Sequence, residues 1–225
     1  IAHWKRLGLG FDAIYSGFLG SHRQVEIVID FIQSFRKEGQ LVVIDPVLGD
    51  NGRIYGPLNQ VLVQEMQRLI TFADIITPNL TEMFLLMDEP YRETITEAEV
   101  KAAILELAAQ GPAFVIVTSV PQAHNKTAVI AYNAHDKRFW KVTVNYIPAE
   151  YPGTGDAFAS VVVGALLQGD SLPLALDRAV HFTSTGVRAT FGYNYNAAEG
   201  ILLERILGTL NVPVQNLSFE LLEDA

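Results

Sequence analysis

The stretch LVVID, residues 41–45, places four consecutive apolar residues before an acidic one. A short apolar run of this kind is typical of a strand that is buried on both faces of a sheet. Comparable runs recur as DIIT (Asp74–Thr77) and FVIVT (Phe114–Thr118), and a shorter strand is expected at Ala13–Ser16. Because helical patterns separate these runs, we predict an α/β fold with a mostly parallel central sheet flanked by helices.

The helical patterns and one hairpin complete the predicted architecture. The runs TAVIAYN and RFWKVTVNYI flank AHDK and indicate an antiparallel hairpin. No linker divides the chain, so we expect residues 1–225 to form one domain. Helices are expected at Arg23–Lys37, from about Leu58, from Asn79, at Thr96–Gln110, and from Asp156, Ser171 and about Ala197.

Composition excludes several kinds of partner and site. The 225 residues carry a formal net charge of −9, with a pI of about 5.0. A protein that binds nucleic acid or an anionic membrane needs a basic face, so we expect neither partner. The chain has no cysteine, which excludes disulfides and thiolate zinc sites and fits a cytoplasmic protein. The phosphate-loop motif GxxxxGK[ST] and the serine-nucleophile motif GxSxG are also absent from the sequence.

Polar residues follow each of the predicted parallel strands. Asp45 follows LVVI, Thr77 follows DII, and Thr118 and Ser119 follow FVIV. Ligands of parallel sheets bind beyond the carboxyl ends of the strands. We therefore expect these side chains to share one edge of the sheet.

Two of these clusters have both a structural and a functional interpretation. DPVLGDNGRIYG, residues 45–56, is rich in turn residues, but Asp45 and Asp50 could also lie near a cation or a phosphate. TPNLTE, residues 77–82, fits a capping box between Asn79 and Glu82. The same residues, together with Thr77, offer the oxygen ligands that hard cations such as Mg²⁺ or K⁺ prefer.

The segment EYPGTGDAFAS, residues 150–160, combines glycines with the expected start of a buried helix. Glycine lets backbone N–H groups approach a ligand, and a helix N-terminus favours bound anions. Asp156 could be a helix cap or a residue matched to the helix dipole. The cap explains the acid but does not explain Gly153 and Gly155.

Taken together and in this order, the clusters resemble the ribokinase superfamily, and within it the pyridoxal kinases. The pairing of DPVLGD with TPNLTE resembles the vitamin kinases more than the sugar kinases. The segments that carry the resemblance run from Tyr15 to Ser160 and are YSGFLGS, VVIDPVLGDNGRIY, ADIITPNLTE, VIVTS and GTGDAFAS.

The resemblance implies ATP-dependent phosphorylation of the 5′-hydroxymethyl group of a B6 vitamer. It implies that Asp156 is the catalytic base and that the amides of Gly153, Thr154 and Gly155 bind the transferring phosphoryl group. The ring of Phe18 falls where the family often places a tyrosine against the pyridine ring. We also expect a homodimer.

The same resemblance implies where the nucleotide and the cations bind. The residues that lie where the family holds ATP and its Mg²⁺ are Asp50, Asn79, Thr118 and Ser119. Those that lie where it holds cations, including an activating monovalent ion such as K⁺, are Asp45, Thr77 and Glu82.

One departure and two alternatives accompany this interpretation. The chain opens on IAHWKRLGLGFDAIYSG, which resembles the part of the family that follows the first strand and its glycine-containing loop. We therefore expect the N-terminal part of the sheet to be missing. The alternatives are a hydroxymethylpyrimidine or hydroxymethylpyrimidine-phosphate kinase and a non-catalytic binding paralogue with the same fold.

Overall fold

The computed structural model describes residues 1–193, 196–212 and 217–223. The strands in these ranges are β1 (Ala13–Ser16), β2 (Leu41–Ile44), β3 (Gly49–Asp50), β4 (Arg53–Ile54), β5 (Ile75–Ile76), β6 (Phe114–Gln122), β7 (Lys126–Asn133), β8 (Arg138–Asn145) and β9 (Phe219–Leu222). Within the described ranges, the central sheet has the order β1-β2-β5-β6-β7-β8-β9. The first four of these strands are parallel, and β7, β8 and β9 continue the sheet as antiparallel strands.

Helices cover both faces of the sheet, which confirms the predicted fold class. They are α1 (Ala2–Arg6), α2 (His22–Phe35), α3 (Gln60–Ile70), α4 (Leu80–Leu86), α5 (Glu97–Ala108), α6 (Thr154–Leu167) and α7 (Leu172–Phe191). The helices α2 to α5 pack on one face, and α6 and α7 pack on the other. None of the helices described is long and apolar enough to cross a membrane.

The three residues after Leu41 in β2 show why helices must cover both faces of the sheet. Val42 and Ile44 belong to the core beneath α2 to α5, whereas Val43 belongs to the core beneath α6 and α7. All three side chains are fully buried. Since successive strand residues point to opposite faces, only a strand covered on both sides can bury the whole run.

The helix N-termini follow the predicted capping chemistry at two positions. Asn79 accepts the N–H of Glu82, whose carboxylate accepts the N–H of Asn79 in return. Thr96 and Glu99 form the same reciprocal pair at the start of α5. Both predicted capping boxes are therefore confirmed.

Three local expectations differ from the structure. The predicted α-helix from about Ala197 is wrong: the described residues 196–212 form three short 3₁₀ turns. Gly200 interrupts the helical path with a φ of 84°, and a Cβ there would lie 2.8 Å from the carbonyl oxygen of Pro152. The strand β6 runs beyond Thr118 through a bulge, and β9 was not predicted.

Polar contacts from both neighbouring layers hold β9 against the sheet. The fully buried Asp177 of α7 accepts hydrogen bonds from the backbone N–H (2.9 Å) and the hydroxyl (2.6 Å) of Ser218. Lys101 of α5 donates to the carbonyl of Glu223 at 2.6 Å. The strand is therefore fixed at both ends by side chains from α5 and α7.

Asp177→Ala tests this anchor. Ser218 would lose the acceptor for two hydrogen bonds, so we expect the free energy of unfolding to fall by about 2 kcal/mol. Amide hydrogen exchange should accelerate in Phe219–Leu222, while the exchange of β2 stays slow. Asp177→Asn keeps one acceptor oxygen and should lose less stability. Equal effects of the two variants in chemical denaturation would contradict the proposed role of the acceptor.

Candidate active site

The carboxyl ends of the parallel strands lie side by side, as predicted. The N–H of Asp45 donates to the carbonyl of Ser16 at 2.8 Å, and the N–H of Thr77 donates to the carbonyl of Ile44 at 3.3 Å. The N–H of Thr118 donates to the carbonyl of Pro78 at 2.9 Å. One edge of the sheet therefore holds Ser16, Asp45 and Thr77, at or just after the ends of β1, β2 and β5, together with Thr118 within β6.

Asp45 lies at the centre of this edge and is buried. The hydroxyl of Thr77 donates to its Oδ1 at 3.0 Å, and the hydroxyl of Tyr15 lies 3.3 Å from its Oδ2. Burial raises the pKa of Asp45 to about 6, although the hydrogen bond from Thr77 opposes the shift. The negative charge of Asp156 also raises this pKa.

Glu82 joins the loop after β2 to the start of α4. Its Oε1 accepts the N–H of Leu48 at 3.0 Å, and its Oε2 accepts the N–H of Asn79 at 2.8 Å. The side-chain amide of Asn79 donates to the carbonyl of Gly49 at 2.8 Å. Burial, followed by the charge of Asp45, raises the pKa of Glu82 to about 8, while the backbone amides lower it.

The segment DNG forms a tight hairpin beside these residues. Asp50 pairs with Arg53 across Asn51 and Gly52, whose φ angles are 49° and 73°. Two successive positive φ angles are typical of the type I′ turns that favour Asn-Gly. The turn interpretation is thus confirmed, and it places Asp50 in a short strand. Burial raises the pKa of Asp50, with a smaller effect of the negative charge of Glu150.

A hydrogen bond connects this hairpin to the segment before α6. The side-chain amide of Asn51 donates to Oε1 of Glu150 at 2.7 Å, across 99 positions of sequence. Neither residue was singled out from the sequence, because a contact over this separation leaves no local pattern. The hairpin and the segment before α6 are therefore held together on one side of the site.

The helix α6 begins at Thr154, two residues before the predicted start. Gly153 is the N-cap, with a φ of 83°, and it has no side chain to accept the N–H groups of the first turn. The hydroxyl of Thr154 donates to the carbonyl of Tyr151 at 3.2 Å. Asp156 is the third helical residue, so the interpretation of Asp156 as the N-cap is wrong. The first-turn amides remain open to an acceptor from outside the helix.

Two glycines bring the start of α6 against the strand ends. A Cβ at Gly17 would lie 3.2 Å from both Oδ1 of Asp156 and the hydroxyl oxygen of Tyr15. A Cβ at Gly155 would lie 3.8 Å from Oδ2 of Asp45. Asp156 and Asp45 are therefore brought together around Tyr15, a residue to which sequence reasoning gave no role.

The other candidate residues surround this centre at different depths. The half-exposed ring of Phe18 follows Gly17 directly in the loop after β1. Thr118 forms an isolated parallel bridge with Asn79, which places it beside the start of α4. Ser119 is exposed on the β6 bulge, with a φ of 59°. The hydrogen bonds of the described ranges do not link Ser119 to the carboxylates.

The carboxylates of the site lack basic partners. Among the described residues, the ion pairs do not include any of the acidic groups Asp45, Asp50, Glu82, Glu150 and Asp156. Buried carboxylates are normally paired or coordinate a cation. Two of these acids, Asp45 and Glu82, are buried. Uncapped amides at a helix N-terminus, beside buried acidic groups that a cation could bind, suit a substrate that carries phosphate.

A family model described as phosphomethylpyrimidine kinase matches residues 6–200. The chain belongs to the phosphomethylpyrimidine kinase family. The match includes every candidate residue described above, from Tyr15 to Asp156.

Solved structures support the same family. A Bacteroides thetaiotaomicron protein, provisionally named a phosphomethylpyrimidine kinase, is 57% identical with a TM-score of 0.96; the match covers 98% of this chain and 76% of that one. A second crystal form of that protein contains pyridoxal. Pyridoxal kinase from Lactobacillus plantarum is 30% identical with a TM-score of 0.83; its match covers 93% of this chain and 74% of that one.

Curated relatives extend beyond the matched region. Pyridoxal kinase PdxY of Corynebacterium diphtheriae is 28% identical over 185 residues, which are 80% of this chain and 64% of that protein. Across four curated relatives, the chain spans between 57% and 64% of their length.

The raised pKa of Glu82 predicts a pH dependence of stability. In metal-free protein, the folded state keeps the proton of Glu82 up to a pH of about 8, whereas the unfolded chain loses it near 4.5. The free energy of unfolding should therefore fall as the pH rises through this window. Glu82→Gln should remove at least about 1 kcal/mol of that fall, measured by urea denaturation at pH 5 and pH 8.

Glu99→Gln is the matched control. Glu99 holds the same capping-box position in α5, but it is exposed and hydrogen bonds from Thr96 lower its pKa. Its replacement should leave the slope between pH 5 and pH 8 unchanged. If the free energy of unfolding falls by the same amount between pH 5 and pH 8 in the wild type and in Glu82→Gln, Glu82 acts only as a capping residue.

Proposed function

We propose that this chain carries the catalytic core of an ATP-dependent kinase that phosphorylates the 5′-hydroxymethyl group of a B6 vitamer: pyridoxal, pyridoxine or pyridoxamine. The observation that carries the proposal is the start of α6. There, uncapped amides lie next to Asp156, Asp156 contacts Tyr15 of β1, and Gly155 lies against Asp45 at the end of β2.

In the proposed reaction, Asp156 accepts the proton of the vitamin hydroxyl. The hydroxyl oxygen forms a bond to the γ-phosphorus of ATP while the bond from that phosphorus to ADP breaks. The amides of Gly153, Thr154 and Gly155 bind the phosphoryl oxygens during this transfer. Phosphoryl transfer depends mainly on positioning and on charge stabilisation. A base and an anion-binding turn meet these two requirements.

We assign the nucleotide to the edge formed by the hairpin and the ends of β5 and β6. The residues proposed to hold ATP and its Mg²⁺ are Asp50, Asn79, Thr118 and Ser119. The backbone N–H groups of Asn79 and Glu82 already donate within the capping box. The polar groups of this edge that lie outside the capping box are therefore the ones available to a ligand.

The cation assignment has support from the donor chemistry. Asp45 and Thr77 follow two neighbouring strands, and Glu82 lies in the first turn of α4, so all three supply oxygen atoms at one edge of the sheet. The two acids are buried without a basic partner in the described ranges, and both have raised pKa values. Such a set fits Mg²⁺ and an activating K⁺. When bound, the cations offset the negative charge of the phosphates and of these carboxylates.

The choice of vitamin rests on the relatives and on Phe18. The Bacteroides protein that crystallised with pyridoxal is 56% identical to this chain. The half-exposed ring of Phe18 offers a planar surface to a pyridine ring.

The family name favours a second candidate, a hydroxymethylpyrimidine or hydroxymethylpyrimidine-phosphate kinase. A side-by-side assay of ADP formation with the three vitamers and the two pyrimidines separates these activities. ADP formation with none of them would support the non-catalytic paralogue.

Asp156→Asn tests the base. Asparagine keeps the size of the side chain but cannot accept the hydroxyl proton, so kcat with pyridoxal should fall by about 10²- to 10⁴-fold. ATP affinity, measured by calorimetry, should hold or increase because a negative charge is removed. Asp136→Asn, in the exposed turn between β7 and β8, is the control. A near-normal kcat would remove Asp156 from the mechanism.

Phe18→Ala tests the ring contact. Loss of stacking should raise the KM for pyridoxal about fivefold or more, while the KM for ATP stays constant. Phe191→Ala removes a comparably exposed ring from the end of α7 and should leave both constants unchanged. A variant that unfolds readily but has a normal KM would identify Phe18 as a packing residue.

A further inference from the structure

The hydroxyl of Tyr15 lies between the two carboxylates of the site. It is 3.2 Å from Oδ1 of Asp156 and 3.3 Å from Oδ2 of Asp45, residues that are 141 and 30 positions away in the chain. A phenol has one proton to donate. The two carboxylates therefore compete for a single donor.

The position of Tyr15 is fixed by the sheet. Tyr15 pairs in register with Val43, and Val43 pairs with Ile75. These cross-strand partners lie on the face of the sheet that α6 and α7 cover, because Val43 and Ile75 belong to that core. The phenol consequently rises from β1 toward the first turn of α6, where Asp156 lies.

Gly17 closes one side of this contact, whereas Asp156 and Tyr15 are exposed on the other side. A single carbon added at Gly17 would approach both Oδ1 of Asp156 and the phenol oxygen of Tyr15 to 3.2 Å. A hydrogen bond to Oδ1 favours the carboxylate orientations that keep this oxygen facing the phenol. The contact can thus select one orientation of the Asp156 carboxylate.

From this geometry we infer that Tyr15 is a positioning residue for Asp156: its hydroxyl donates to Oδ1 and leaves Oδ2 for the substrate hydroxyl. The inference rests on the proposed function of Asp156 as the base. With a cation bound to Asp45, that carboxylate would no longer compete for the phenol proton, and Tyr15 would donate to Asp156 alone. Tyr15 would then contribute through orientation and would not touch the substrate.

Tyr15→Phe removes the hydroxyl and keeps the ring. We expect kcat to fall about tenfold, with the KM for ATP and the vitamin within about twofold of wild type. Tyr146→Phe is the matched control, since Tyr146 is 48% exposed, comparable to the 38% of Tyr15, and lies just beyond β8. An equal loss in the control, or an unchanged kcat in Tyr15→Phe, would overturn the inference.

A double-mutant cycle decides whether Tyr15 acts through Asp156. In an Asp156→Ala background, measured at high enzyme concentration, Tyr15→Phe should change the residual rate less than about twofold. The same tenfold loss in both backgrounds would overturn the inference. So would a marked increase in the Mg²⁺ concentration needed for half-maximal rate in Tyr15→Phe alone, because that result would assign the phenol to Asp45.

The design separates this inference from the proposed function. The rate cycle uses whichever hydroxymethyl substrate the wild type phosphorylates, so it remains valid if B6 vitamers are rejected. If no substrate is turned over, the proposed function fails. Chemical denaturation of the wild type, Tyr15→Phe, Asp156→Ala and the double variant then tests whether Tyr15 and Asp156 interact. Non-additive free energies of unfolding would support the link between Tyr15 and Asp156, and additive ones would overturn it.

Discussion

The hydroxyl of Thr77 donates to the buried carboxylate of Asp45 across the ends of two parallel strands. This contact exists only because β2 and β5 run in the same direction and end at the same level. The carboxylate then meets Tyr15 of β1 on one side and Gly155 of α6 on the other. The parallel pairing therefore brings together groups from four separate segments around one acidic centre.

This arrangement brings several acidic groups close together, which is energetically unfavourable when they are ionised. Asp45 and Glu82 are buried and have raised pKa values, which means that the folded protein disfavours their ionised forms. Backbone amides and hydroxyls stabilise these carboxylates only in part. A bound cation would complete the compensation, and the phosphate groups of a nucleotide would then bind where an isolated anion could not. In this way, a chain of net charge −9 would bind the anionic nucleotide of the proposed reaction.

Much of this could be predicted because the signals are local. LVVID predicted a strand buried on both faces, and the spacing of Asn79 and Glu82 predicted a capping box; both are confirmed. The start of α6 was placed two residues late because Gly153 caps it without a side chain. The role of Tyr15 could not be seen, since a tyrosine in a strand is ordinary and its partners come from distant segments. The homodimer, the cytoplasmic location and the single domain stay predictions.

The link between Asn51 and Glu150 has a consequence for the lifetime of the protein. Asn51 precedes Gly52, and an asparagine followed by glycine is prone to lose its side-chain amide, because glycine has no side chain to hinder the attacking backbone nitrogen. In this hairpin the N–H of Gly52 donates to the hydroxyl of Thr81 at 3.0 Å, which slows that attack. Hydrolysis would convert the N–H donor that faces Glu150 into a second carboxylate. Attraction would become repulsion, and the hydrogen bond between the hairpin and the segment before α6 would be lost. Chemical ageing of one side chain would thus remove a tie across 99 positions of sequence at the rim of the site.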